Sequence, residues 1–517
     1  MHGVSGIPAG LEIGVTGGVV RGVLRRGLRM WRGIPYAAPP LGELRFLAPR
    51  PVTPWRGVLD AAEFGAVAPQ DRNGQFLGPR PGIRMDEDCL SLNVIAREHP
   101  AEELAPVMVF VHGGAYSVGS SRETPRQGEG LVRRGGVVFV NLNYRLGALG
   151  YLDFTSYSTV ERRFDSNLGL RDQVAALEWV RDNIRAFGGD PERVTLFGES
   201  AGGNAVTTLM TVPSASGLFA RAIAQSSPAN AIYPAEVTAK WAGDFVELLS
   251  EEVDDASTES TSPEGAAAML VDAVAEHLVR ATTRMQLRAP DREPGTICLS
   301  PVIDGDFLPE RPLDAFKAGR AHPVPLVIGT NDREGSLFTG RLDILATTPS
   351  RIRAIFARTR KKARKRLKAQ YPGLPAKRPA ADFGGDYAFW FPSVKVAERH
   401  SRFAPVYFYR FDIAPRLVRL LGFDATHGLE LFALFDRMDG RFGRAMGLLG
   451  GRRAFKRAGR RMQEHWLGFA RDGEMAADWP RYTARRRRTL VIDEEDRVEL
   501  DPRAERRLAW QEFVPHV

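Results

Sequence analysis

The chain has 517 residues, 44% of them hydrophobic, with a formal net charge of +9. That is enough to bury one large core or several ordinary ones, and the composition is neither disordered nor collagen-like. No apolar run approaches the roughly 20 residues that span a bilayer, and the positive charge favours anionic surroundings without establishing nucleic-acid binding.

The segment 1–18 lacks a basic region followed by a continuous apolar run, so no secretory signal is expected. "GGVVRGVLRRGLRMWRGIPYAAPPLGELRF" then alternates and turns like short strands punctuated by Gly and Pro. "PVMVFVHGGAYSVG" is a buried strand ending in glycines, and "VVFVNLNYRLGALGYL" is a second. In "NLGLRDQVAALEWVRDNIRAFGGDP" the apolar residues Leu170, Val174, Leu177, Val180 and Ile184 recur at helical spacing, until Gly188, Gly189 and Pro191 stop the helix. "VTLFG" is again a strand, and "SAGGNAVTTLM" begins a helix. Further strands are expected in "FARAIAQSS", "VPLVIGTN" and "APVYFYRFD". Alternating strands and helices predict an α/β fold, a large mainly parallel sheet covered by helices on both faces, with long loop insertions. The acidic, Ser-rich stretch Leu249–Gly265 reads as a solvated surface loop rather than a domain boundary. A single domain over 1–517 is the expectation.

Between Phe197 and Gly203 lies Gly198-Glu199-Ser200-Ala201-Gly202. A tight turn from strand to helix lifts its apex side chain above the sheet and forces the two backbones together. The positions two before and two after the apex must then be small. Ser200 is therefore a candidate nucleophile. A serine hydroxyl needs a base, and the base needs an orienting carboxylate. Of the histidines after Ser200, His277 and His465 lie in helical stretches, while His427 in "DATHGLELFALF" sits in a loop just before a helix. At the end of the strand "VPLVIGTN", either Asp332 or Glu334 can serve as the acid; spacing does not choose. The N–H of Ala201 and the glycine turn "HGGAY" can together hold an oxyanion.

These segments resemble the type-B carboxylesterases, cholinesterase-related members of the α/β-hydrolase superfamily. "GIPYAAPPLGELRF", "EDCLSLNV" (with Ser91 where an aromatic or Thr is usual), "NYRLGALGYL" and Phe187–Gly202 match in the expected order. The resemblance implies a serine hydrolase that cleaves carboxylic esters through an acyl-enzyme. It implies Ser200 as nucleophile, His427 as base and Glu334, rather than Asp332, as acid. It also implies Gly114, Ala115 and Ala201 as oxyanion donors, and Ser226 supporting the acid, with Ser227 replacing the usual glycine. Ala115 replaces a third glycine, which keeps its donor if its φ is negative. No metal or cofactor is implied; the partner is a small-molecule ester. Non-catalytic adhesion members of the superfamily lose the nucleophile, whereas Ser200, Glu334 and His427 are all present here.

Cys89 falls where secreted relatives have half of a disulfide, but its partner position is Ala68. With only two cysteines, Cys89 and Cys298, a cytoplasmic location is expected. "RIRAIFARTRKKARKRLK", Arg351–Lys368, carries ten basic residues and no acid. Its apolar residues share one helical face, so a helix packed on the core with a solvated basic outer face is expected first, beside the alternative of a basic amphipathic helix in weak contact with anionic membrane. Tyr116, Phe389, Trp390, Phe391 and Phe432 are candidate pocket aromatics.

Overall fold

The computed structural model describes residues 10–73, 78–99, 101–123, 127–253, 262–340 and 344–513. Among these, eleven strands form one sheet. In chain order they are β1 (Val23–Arg25), β2 (Leu28–Pro35), β3 (Ser91–Arg97), β4 (Ala105–Val111), β5 (Val138–Leu142) and β6 (Gly189–Glu199), followed by β7 (Arg221–Gln225), β8 (Leu326–Asn331), β9 (Val406–Phe411), β10 (Arg488–Ile492) and β11 (Arg497–Leu500). They lie side by side in the order β1-β2-β3-β5-β4-β6-β7-β8-β9-β10-β11. Every pairing from β5 to β10 is parallel, and the pairings toward both edges are antiparallel. The mainly parallel sheet anticipated from the sequence is thus the central part of a mixed one.

Successive side chains of a strand point to opposite faces. On β4, Val107, Val109 and Val111 enter one core while Met108 and Phe110 enter the other. On β8, Leu326 and Ile328 take the first side and Val327 the second. Burial on both faces explains why these strands read as continuous apolar runs rather than strict alternation.

Eight helices frame the site or carry the surfaces around it: α1 (Leu168–Asn183), α2 (Ala201–Leu209), α3 (Pro349–Ala357), α4 (Lys361–Ala369), α5 (Arg416–Leu420), α6 (Leu429–Leu434), α7 (Arg441–Met446) and α8 (Arg452–Asp472). The expected apolar face of α1 is buried at each of its positions, and the chain leaves through Gly188 at φ +87°. The basic segment packs its apolar face on the core, but it is not the single helix expected. It is two helices, α3 and α4, separated where Arg360 leaves helical geometry at ψ 139°; just before it the Thr359 hydroxyl bonds back to the Ile355 carbonyl. Ile352, Ile355, Phe356, Ala363 and Leu367 are all buried, so its apolar face packs inward.

Among the described residues no helix is long and apolar enough to cross a membrane. Cys89 and Cys298 are buried free thiols, both pushed up by burial. Ala68 is buried, without a thiol for Cys89 to meet. The segment 1–9, residues 254–261 of the acidic stretch and His516 lie outside the described residues.

Candidate active site

β4 and β6 are parallel neighbours, and the two glycine-rich turns follow their carboxyl ends. Ser200 links β6 to α2 with φ +60° and ψ −122°. A side chain held in that region costs on the order of 1–3 kcal/mol. The flanking glycines explain how the turn is tolerated. A Cβ on Gly198 would lie 2.6 Å from the Gly202 carbonyl, and one on Gly202 would lie 2.1 Å from the Val111 oxygen. The apex is pinned by Ser200 N–H donating to the Gln225 carbonyl at 2.9 Å.

His427 and Glu334 meet although 93 positions apart in sequence: Nδ1 lies 2.6 Å from Oε2. The other carboxyl oxygen of Glu334 accepts from Ser226 Oγ and from the Asn331 N–H, each at 2.6 Å. Three donors fix this carboxylate, and one comes from the serine expected there. Ser227 is buried beside it, 3.1 Å from the Thr207 hydroxyl. The loops carrying the pair are tied together. Arg333 N–H donates to the Ala425 carbonyl, its guanidinium binds Asp424, and the Ser336 and Thr426 hydroxyls are 2.7 Å apart. Asp332 points elsewhere, into an ion pair with Arg503. Three other histidines have structural settings: Nε2 of His322 and of His400 each lies 2.9 Å from a backbone carbonyl, and His465 packs edge-on against Trp479.

Ser200 Oγ makes no hydrogen bond to His427 among the described residues. Nε2 is buried and faces Glu199 Oε1 at 3.2 Å. Glu199 and Glu430 are the members of this cluster to which sequence pattern assigned no role. Glu430 is fully buried, and its Oε2 accepts from Asn331 Nδ2 at 2.5 Å. It stands three residues after His427, as the second residue of α6. Burial, then the charges of Glu199 and Glu334, push the Glu430 carboxyl up to about 8. Burial pulls the His427 imidazole down, but Glu199 and Glu334 outweigh it and raise it to about 9. Phe389 and Phe338 cover the ring, with centroids 4.5 and 5.1 Å away.

The "HGGAY" turn lies against the elbow: a Cβ on Gly113 would sit 2.9 Å from the Ser200 Cβ. Gly114 has φ +121°, and a Cβ there would lie 2.0 Å from the Val118 oxygen. Ala115 has φ +51°, not the negative value on which its donor role was conditional; the positive φ still leaves its backbone N–H in place. An alanine in this left-handed region costs roughly 1–2 kcal/mol. The turn is held in place by Tyr116, which stacks on Tyr151 at 3.8 Å and donates to Asn204 on α2. The N–H groups of Gly114, Ala115 and Ala201 have no protein acceptor among the described residues.

Of the candidate pocket aromatics, Phe389 touches His427, and Tyr116 braces the glycine turn. Trp390 and Phe391 instead pack near Arg503 and Trp510, and Phe432 against Phe442. A cavity of about 410 Å³ opens beside the turn, lined by Ser117, Val118, Leu146, Leu149, Leu278 and Leu287 among others.

The model of the carboxylesterase family matches residues 10–510. The chain is 37% identical over 485 residues to the para-nitrobenzyl esterase of Bacillus subtilis, covering 93% of this chain and 94% of that protein. It is 32% identical to the cocaine esterase of Oryctolagus cuniculus, over 95% of this chain and 92% of that one. A solved para-nitrobenzyl esterase structure superposes with a TM-score of 0.82 at 34% identity, over 97% and 99% of the two chains. These neighbours share the α/β-hydrolase fold.

Proposed function

The chain belongs to the carboxylesterase family and is a carboxylic ester hydrolase, and we propose that Ser200, His427 and Glu334 carry the reaction. The observation that carries this reading is the 2.6 Å bond between Glu334 and His427, formed beside a serine held at a strained strand-to-helix apex.

With the Nδ1 proton donated to Glu334, neutral His427 has its lone pair on Nε2. As an ester docks, Nε2 exchanges its Glu199 contact for the Ser200 hydroxyl; such bonds tighten in the substrate complex. Oγ attacks the carbonyl carbon while Nε2 takes the proton. The oxyanion receives the N–H groups of Gly114, Ala115 and Ala201. The imidazolium then protonates the departing alcohol, leaving an acyl-Ser200 that water cleaves by the same sequence. The reading uses no cofactor.

The substrates proposed are uncharged esters with aryl or short acyl groups, which suit a cavity of about 410 Å³ with mixed apolar and polar walls beside the glycine turn and follow the para-nitrobenzyl esterase relative. The chain works as one catalytic domain over 1–517. Two buried thiols suit a reducing cytoplasm. Any contact of Arg351–Lys368 with anionic membrane is weak and made by charge alone, since the apolar face is internal.

A panel of p-nitrophenyl esters from acetate to palmitate tests the reading. Turnover should favour the shorter acyl chains, and Ser200→Ala should lower it by several orders of magnitude. Near-parent turnover by the variant would reject Ser200 as nucleophile.

A further inference from the structure

Large apolar side chains are exposed together on one part of the surface, separate from the basic segment 351–368. Leu420 is 74% exposed, Leu421 63%, Phe442 63%, Leu448 77% and Leu449 49%. They belong to α5, α7 and the residues just after each. The two helices are neighbours, joined by Arg416 N–H donating to the Gly450 carbonyl at 3.2 Å. Val418 and Met446 anchor them to the core, turning the opposite faces outward. Four exposed arginines, Arg416, Arg419, Arg441 and Arg444, stand among these apolar side chains. None of the four has an ion pair among the described residues. The acids of this region are mostly engaged: Asp424 binds Arg333, Asp439 binds Arg452 and Lys456, and Glu430 is buried. Asp436 remains exposed.

We propose that α5 and α7 form an interfacial docking surface for an anionic lipid bilayer. Apolar side chains interleaved with arginines fit the boundary between headgroups and acyl chains, where the former insert and the latter meet lipid phosphates. The charge pattern selects this occupant. A symmetric second copy would bring four arginines against four. A nucleic acid would satisfy the arginines but leave five large apolar groups against phosphate. The surface also adjoins the catalytic framework: the Gly422 carbonyl, next to Leu421, accepts from Arg333, the neighbour of Glu334.

The test is flotation of the full chain with vesicles of phosphatidylcholine and phosphatidylglycerol at 3:1, or of phosphatidylcholine alone. The expected result is flotation with the anionic vesicles at about 50 mM salt, weakened about tenfold or more at about 500 mM. Phe442→Ser with Leu448→Ser should cost about tenfold or more in binding and leave p-nitrophenyl acetate turnover unchanged. Lys362→Glu with Lys365→Glu, on α4, should bind like the parent. If the apolar variant loses activity as well, the salt and lipid dependence of the parent chain decides. No flotation, equal binding to both vesicle types, undiminished binding by the apolar variant, or a parent dimer that this variant dissolves would each overturn the proposal. None of these outcomes touches the esterase reading, which stands on turnover of the soluble ester.

Discussion

Replacing Glu199 with Gln keeps the side-chain shape and removes a charge 3.2 Å from His427 Nε2. At that separation two unit charges interact by about 1 kcal/mol in a water-like medium and by about 5 kcal/mol at an effective dielectric of about 20. One pKa unit is about 1.4 kcal/mol, so the imidazole should fall by about 1 to 4 units from its position of about 9. The sign follows from electrostatics: an anion stabilises the imidazolium, and removing it favours the neutral base. In the parent an imidazole of about 9 is neutral at pH 7 in only about one molecule in a hundred, so activity should climb until pH 9. The unperturbed histidine value of about 6.5 would have placed that rise near neutrality. The assay is kcat/KM for p-nitrophenyl acetate from pH 5.5 to 10, corrected for spontaneous hydrolysis. The variant's rising limb should shift by at least one unit toward neutral pH. A limb that stays in place, or moves upward, would refute the electrostatic account of His427.

Glu334→Gln should lower kcat by about a thousandfold or more, since the orienting carboxylate is lost, whereas Asp332→Asn should change it little. The reverse ranking in steady-state kinetics would reassign the acid. Both His427 and Glu430 are raised, so each favours folding in its protonated form. The stability from His427 is complete below about pH 6.5 and lost as pH rises through about 9; that from Glu430 is lost between about 4.5 and 8. Thermal midpoints should therefore fall between pH 6.5 and 8, and Glu430→Gln should flatten the fall; equal slopes would contradict it. Gly202→Ala, which drives a Cβ into the Val111 carbonyl, should destabilise by about 3 kcal/mol or more, read as a lowered thermal midpoint. Ala115→Gly should raise stability by about 1 kcal/mol with activity retained, because it relieves a positive φ.

The parts of this fold that were legible in sequence are those fixed by local pattern. Apolar runs marked β4, β6 and β8 because strands buried on both faces must be apolar throughout. Gly198 and Gly202 marked the elbow because only a missing Cβ permits that approach. The choice between Asp332 and Glu334 was not local. It depends on which carboxyl meets a loop 93 residues later, so a family resemblance was needed to make it, and the hydrogen bond to His427 now supplies a geometric reason. The positive φ of Ala115 was not legible in the motif, whose last residue, Tyr116, stacks on the sequence-distant Tyr151. The break between α3 and α4 was hidden because their apolar positions stay in phase across Thr359. Glu199 and Glu430 carried one visible hint, a glutamate beside the serine and another three residues past the histidine, but their burial together is a tertiary fact.

The most direct test of the central claim is covalent capture. A fluorophosphonate probe should add one adduct per chain, mapped by peptide mass spectrometry to Ser200, with labelling strongly slowed by His427→Ala. An adduct on another serine, or equal labelling rates for parent and variant, would contradict a Ser200 nucleophile activated by His427.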